Sequence, residues 1–218
     1  MNEHPSYLVY QHLPRFLQSR GLTAVPGAVQ NAPRDRFITE LDHIGYFRLD
    51  AEGPDREILV ILILALQGKF ADHAPHLRTL LGSFNSEEFA REGRLGEVLL
   101  IAPEDVCKKK HILEVVLKIG ADSKPPLYNI YPYHVFSLDI PRAQCVYNHE
   151  IVDPSEVRDF LARERLTLAD LQRISVSDPP VIWLGARPNQ VVRIRAPSET
   201  AGETYYYKLV VREARMSL

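Results

Sequence analysis

The most regular hydrophobic pattern in the chain is an unbroken run, Ile58 to Leu66, bounded by Pro54-Asp55 and Gln67-Gly68. A short continuous run between turn residues predicts a central strand buried on both faces. Glu97 to Ala102 repeats the pattern and predicts a second such strand. Elsewhere apolar residues return at helical spacing. Leu8, Leu13, Phe16 and Leu17 predict a helix within Tyr7 to Arg20, stopped at Gly21, with Pro14 marking either a kink or the helix start. Phe37, Ile38 and Leu41 predict a short helix over Arg34 to Ile44, after a polar segment holding Pro26, Gly27 and Pro33. Phe70, Ala74, Leu77, Leu80 and Leu81 form a stripe ending at Gly82. Ile112, Val115, Val116 and Ile119 form another, closed by Gly120. Ser83 to Gly96 is polar and reads as a loop or insertion. Leu127 to Tyr133 and Val135 to Ile140, entered through Pro125-Pro126, supply further strands. Strand, helix, strand, helix, strand in that order predicts an α/β unit with a partly parallel sheet.

The pattern changes after about Pro141. Asp153 can cap a helix with Pro154 first inside it and Glu156 at the third position, with Val157, Phe160 and Leu161 inward. Asp178 and Pro179 predict a second short helix filled by Val181, Ile182 and Leu184 and ended by Gly185. Gln190 to Arg195 alternates with period two: Val191, Arg193 and Arg195 on one face, Val192 and Ile194 on the other. Tyr205 to Val211 is rich in aromatic and β-branched residues and predicts the antiparallel partner, across a tight turn with Gly202 at its exit. No nucleophile–base pair or metal-ligand cluster lies in this ribbon. It reads as a binding element, and a module this small is expected to need a partner.

Composition narrows the function. The chain has 218 residues, 45% of them apolar, and 26 basic against 28 acidic residues, for a net charge of −2. Residues 1–141 hold 15 basic and 18 acidic residues, leaving 11 and 10 for 142–218. A protein that grips nucleic acid alone is usually visibly basic, so any such contact is expected as a local patch inside an assembly. Cys107 and Cys145 lack the spacing of a zinc ribbon or disulfide scaffold, and a reducing compartment is expected. The run from Ile58 is about nine residues, far short of the roughly 20 that span a bilayer, and no secretory signal or basic import cluster is evident.

A specific resemblance is carried by Ser177-Asp178-Pro179, Gly185, Gln190-Val191-Val192, Pro197-Ser198-Glu199-Thr200-Ala201-Gly202 and Tyr207-Lys208-Leu209-Val210. His149, Leu161, Leu171 and Arg173-Ile174 fall on the same pattern. From about Tyr147 onward the chain resembles, without gaps, the C-terminal domain of the fifth, shared subunit of eukaryotic nuclear RNA polymerases. Archaeal RNA polymerases have the same domain as a small separate polypeptide. More thinly, through Arg20-Gly21 and Val98 to Ile101, the earlier part resembles the eukaryotic N-terminal jaw. The archaeal protein lacks the jaw, so its presence points to a eukaryote or a large DNA virus. The resemblance implies an α/β jaw over 1–141, a mixed sheet with flanking helices. It also implies a small α+β assembly domain with antiparallel strands over 142–218.

It further implies a non-catalytic subunit with no cofactor or metal of its own, docked on the largest subunit and forming part of the lower jaw near downstream duplex DNA. The expected interface residues are His149, Asp178, Pro179, Gly185, Gln190, Val192, Ser198, Glu199, Thr200, Ala201, Gly202 and Tyr207. The expected compartment is the nucleus, or the nucleolus for a subunit dedicated to RNA polymerase I. The sequence departs from the family at Ala143-Gln144-Cys145, Ile182 and Asn189, as a divergent or polymerase-specific member would. Asn189 replaces a turn glycine and tolerates the left-handed conformation.

Each candidate site has a plainer alternative. Lys108, Lys109, Lys110 and His111 are expected to open a helix: either a solvated helix end or a phosphate grip, the family's downstream-DNA position. The family's small Thr-Pro-Ser-Ala motif there is replaced by Val106-Cys107-Lys108-Lys109. Arg193 and Arg195 could line a nucleic-acid path or pair with Glu199, Glu203 or a partner's acid. Trp183 fits core or interface; His149, Asp153 and Ser155 show no triad spacing; His12 and His134 carry no signal. Asp55 followed by Gln67-Gly68-Lys69 imitates a metal-dependent nuclease motif, but one strand would separate its ends by about 40 Å, too far for one magnesium ion. The competing functions are therefore a nuclease-like DNA-processing protein and a free-standing adaptor using the assembly module.

Overall fold

Proline at the first helical position begins the first element of the computed structural model, where a missing N–H costs nothing. Residues 4–25, 33–66, 68–120, 126–143, 147–198 and 202–212 are described, and the chain divides into two units, Met1–Leu138 and Asp139–Leu218. Helix α1 (Pro5–Ser19) buries Val9, Tyr10, Leu13, Phe16 and Leu17 and carries the exposed Pro14 in its interior, so the helix does not start there. Helix α2 (Arg34–Ile44) buries Phe37 and Leu41.

The first unit's sheet has the order β1 (Thr23–Ala24), β2 (Tyr46–Glu52), β3 (Ile58–Leu64), β4 (Leu95–Ala102), β5 (Leu127–Pro132). β1–β2 and β2–β3 are antiparallel, whereas β3–β4 and β4–β5 are parallel. All seven residues of β3 are buried, as a strand covered on both faces requires. Helices α4 (Ala74–Phe84) and α7 (Lys110–Ile119) form the two crossovers and pack against each other on one face.

Three expectations about this unit are corrected. The stripe from Phe70 is broken at His73 into α3 (Lys69–Asp72) and α4, and α4 runs past Gly82 because buried Phe84 holds a further half-turn. Ser83 to Gly96 is not simply a loop: it contains α5 (Glu88–Arg91), its last two residues already belong to β4, and Glu87 anchors it. Arg48 of β2 forks between Asp50 and Glu87 at 2.8–3.0 Å, its guanidinium over the rings of Phe84 and Phe89. Finally, Val135 to Ile140 is not a strand. The chain there makes 3-10 turns at Tyr133–Val135 and Ile140–Arg142, with Val135, Phe136 and Ile140 buried as plugs rather than in a pleat. The Tyr133 hydroxyl donates to the Leu64 carbonyl at the end of β3.

The second unit holds a four-stranded sheet, β6 (Asn148–Ile151), β8 (Val191–Ser198), β9 (Gly202–Val211) and β7 (Gln172–Ser175), in that spatial order. β6–β8 and β8–β9 are antiparallel but β7–β9 is parallel, so the expected antiparallel module is mixed. The predicted ribbon is the centre of the sheet, not an edge. Its alternation feeds two cores. Val192, Ile194 and Val210 pack with Ile174 and Val181 on one face, beneath α9 (Pro179–Leu184). Val191 packs with Val152, Val157 and Leu171 on the other, beside α8 (Pro154–Glu164).

Candidate interface sites

The lysine run does not open one helix. Lys108 is the last residue of α6 (Glu104–Lys108), Lys109 is an extended link, and only Lys110 and His111 begin α7. The run lies just beyond the C-terminal end of β4, the side of a parallel sheet where α/β proteins place ligands. Lys108 Nζ donates to Glu104 Oε1 at 2.7 Å, which holds Lys108 above and Glu104 below their ordinary ranges. Lys109 Nζ donates to Asp72 Oδ1 at 2.7 Å and to the Ala71 carbonyl at 3.2 Å. The Asp72 carboxyl, held low by Lys109, also accepts from the Gly68 amide. Lys110 and His111 are exposed and make no ion pair among the described residues. Two of the three lysine charges are thus already matched, by pairs exposed enough to be exchanged for phosphate at little cost.

The nuclease-like motif comes apart. Asp55 precedes β3 and Gly68 follows it, so the two lie at opposite ends of that strand; Gln67 and the Lys69 side chain lie outside the described residues. Among the described residues no three His, Cys, Asp or Glu side chains could hold a metal. Cys107 is half-buried, and burial pushes its thiol up to about 12, which makes it a poor nucleophile.

In the second unit, Asp178 caps α9 through its backbone: its carbonyl accepts from the Ile182 amide, while its side chain makes no capping bond. Burial pushes its carboxyl above the ordinary range, against the pull of His149 and Lys208. Register explains this grouping. His149 lies opposite Ile194, Ile194 opposite Tyr206, and Val192 opposite Lys208, so His149, Tyr206 and Lys208 share the face that α9 covers. His149 is also joined to the Tyr147 carbonyl at 2.6 Å. Asp153 Oδ1 accepts from the Ser155 amide at 2.8 Å, so Asp153 caps α8 as expected. Glu156 pairs with Arg193, whose Nε donates to Glu150 at 2.6 Å. The Glu150 hydrogen bond and another to Tyr207 push Arg193 up. Arg195 reaches Glu203 at 3.8 Å. The ion-pair alternative is met for Arg195 through Glu203, whereas Arg193 pairs with Glu150 and Glu156, which the sequence did not single out.

Several expected interface residues hold the ribbon itself. Val192 is fully buried. Gly185 adopts φ +69° as the cap of α9, and Asn189 takes φ +71°. Gln190 Oε1 accepts from the Arg187 amide at 2.6 Å. Pro179 opens α9, and Ser198 pairs with Gly202 at the ribbon's end. Tyr207 lies on the face opposite His149 and stacks on Phe160 at 4.0 Å and 18°. Glu199, Thr200 and Ala201 lie outside the described residues. Ile182 and Trp183 are core. The sequence reading missed Tyr205 and Tyr206, 50% and 49% exposed, although the period-two pattern already placed them on opposite faces of β9.

Residues 138–210 match the family described as RNA polymerase Rpb5, C-terminal domain. The chain is 33% identical over 204 residues to the DNA-directed RNA polymerase RPB5 homolog of African swine fever virus, covering 94% of this chain and 96% of the relative. It is 41% identical over 75 residues to subunit Rpo5 of Thermococcus celer, 34% of this chain and 92% of that subunit. For Rpo5 of Thermococcus onnurineus the identity is 40% over 75 residues, with the same coverage.

Proposed function

The chain belongs to the Rpb5 family of DNA-directed RNA polymerase subunits, and on that premise we propose that it docks on the polymerase's largest subunit and faces downstream DNA. In this reading residues 142–218 are the assembly domain and residues 1–141 the jaw. Nucleotidyl transfer and its metal belong to other subunits. The compartment is that of the polymerase it joins, the nucleus or nucleolus for a cellular enzyme.

The observation that carries the docking role is Asp178. It is a half-buried carboxyl raised by burial that accepts no hydrogen bond among the described residues, in the patch shared with His149, Tyr206 and Lys208. Desolvating a carboxylate without donors costs free energy, and a partner's amide or guanidinium would recover it. Val192, Gly185, Gln190 and Tyr207 contribute by holding that patch and the ribbon in register. For the jaw, Lys110 and His111 supply uncommitted donors beside α7, and Lys108 and Lys109 exchange Glu104 and Asp72 for phosphate.

Affinity purification of the tagged chain from its own cells tests this. The large polymerase subunits should co-purify stoichiometrically. Gly202→Val should reduce their recovery while the variant stays soluble. Gly202 has φ +74° with open space around it, so the substitution strains the backbone by about 1–2 kcal/mol without a clash. Recovery of the chain without any large polymerase subunit would leave the free-standing adaptor as the reading.

A further inference from the structure

The two long strands of the second sheet are not equally covered. β8 pairs with β9 from Gly202 to Leu209. On the other side of β9, β7 covers only Lys208 to Val211. From Gly202 to Tyr207 the outer edge of β9 therefore has no strand beside it among the described residues. Two hydrogen bonds fix which backbone groups face outward. The Val210 amide donates inward, to Gln190 at 2.8 Å, and the Val211 carbonyl accepts outward, from Val176 at 3.0 Å. Alternation then directs the backbone groups of Glu203 and Tyr205 and the Tyr207 amide to the open edge and those of Thr204 and Tyr206 to β8, while the parallel pairing of Gln172 with Lys208 occupies the Tyr207 carbonyl.

Along this edge the usual protections are reduced to one charge, Glu203. It contains no proline, and half-exposed tyrosines flank it on both faces; natural edges are normally shortened or blocked by charge. Its charges argue against a nucleic-acid occupant. Arg193 and Arg195 face three carboxylates, Glu150, Glu156 and Glu203, so a polyanion drawn to the two guanidiniums would lie beside net negative charge. Tyr205 also rests against the Arg193 guanidinium, 5.7 Å from its ring centre.

We propose that an extended segment of another polymerase subunit adds to β9 along Glu203–Tyr207, in the row that β7 occupies further on. Its alternate side chains pack on Tyr205 and Tyr206. The span is about 17 Å, an ordinary strand length. This deepens the docking role above and rests on it.

Amide hydrogen exchange at single-residue resolution, on the free subunit and on the purified polymerase, reads the parity. In the free subunit the amides of Glu203 and Tyr205 should exchange fast and those of Thr204 and Tyr206 slowly. In the polymerase the odd-numbered amides should slow by at least about tenfold, roughly the effect of one net hydrogen bond. Tyr205→Pro removes the outward N–H together with the ring and should lower recovery of the large subunits about tenfold further than Tyr205→Thr, which removes the ring alone. If Tyr205→Pro fails to fold, the exchange measurement on wild-type protein decides alone. Unprotected odd-numbered amides in a polymerase that does contain the subunit overturn strand addition but leave docking intact. Absence of the subunit from the polymerase overturns docking itself. A free-subunit dimer with the same amides protected overturns the assignment of the occupant.

Discussion

Tyr207→Ala separates a residue that docks from one that keeps the fold. From the sequence, truncation of Tyr207 removes a surface contact. In the structure it removes one half of a stacked pair with Phe160, 4.0 Å between centroids and 18° between planes, inside the core beside α8. An aromatic pair is worth about 0.5–1.5 kcal/mol beyond its area. Tyr207 is half-buried, which adds about half of the 1.5–3 kcal/mol for a fully buried large side chain. The expected cost is about 2 kcal/mol, or a fall in melting temperature on the order of 10 °C for a unit this size. Trp183, the chain's single tryptophan, is 1% exposed in α9, so its fluorescence during urea unfolding reports on this unit. A double-mutant cycle with Phe160→Ala should return a coupling of about 1 kcal/mol. Unfolding curves for Tyr207→Ala that match wild type, together with lost co-purification, would refute this reasoning and restore Tyr207 as a pure contact.

Two further predictions follow from charge. Lys110→Ala should lower the salt slope of downstream-DNA retention by the polymerase by about 0.9, equally for every sequence because phosphate contacts carry no base information. Lys108→Ala should lower it less, since Glu104 already matches that charge; unchanged slopes in both variants would make the run an ordinary solvated surface. Asp178→Asn should stabilise the free subunit at pH 7. The folded carboxyl is raised, so the folded state binds protons more tightly and wild-type stability falls as pH rises from the ordinary carboxylate range through the folded pKa. The advantage of asparagine should vanish below that range, where both states are protonated. A variant less stable than wild type at pH 7 would contradict the burial argument.

The sequence was most legible where burial is complete. The seven buried residues of β3 and the stripe of α7 are apolar because nothing else fits there. Where burial is one-sided, polar chemistry hid the element. β2 alternates Phe47, Leu49 and Ala51 inward with Arg48, Asp50 and Glu52 outward, and its charges obscured a regular strand. Val135 to Ile140 erred the other way: its apolar residues plug a turn, which composition cannot distinguish from a pleat. Nothing in Lys108-Lys109-Lys110 announces the extended link at Lys109. There Lys109 meets Asp72, brought to it from α3 by the fold.

Several family-matching residues in the second unit also hold the strand register, and strand geometry shows what depends on it. A side chain's face is set by parity, so one residue of slip in the ribbon would exchange the surroundings of Tyr205 and Tyr206 and send Lys208 away from Asp178. Selection for a docking patch therefore acts on whatever fixes the register. Here that is the Gln190 bond to Arg187, the left-handed Gly185, Asn189 and Gly202, the Tyr207 stack, and Val192 in the core. Each of these residues holds the parity on which the patch and the open edge depend. A motif can thus serve a binding function partly through residues that fix the register of the strands that present it.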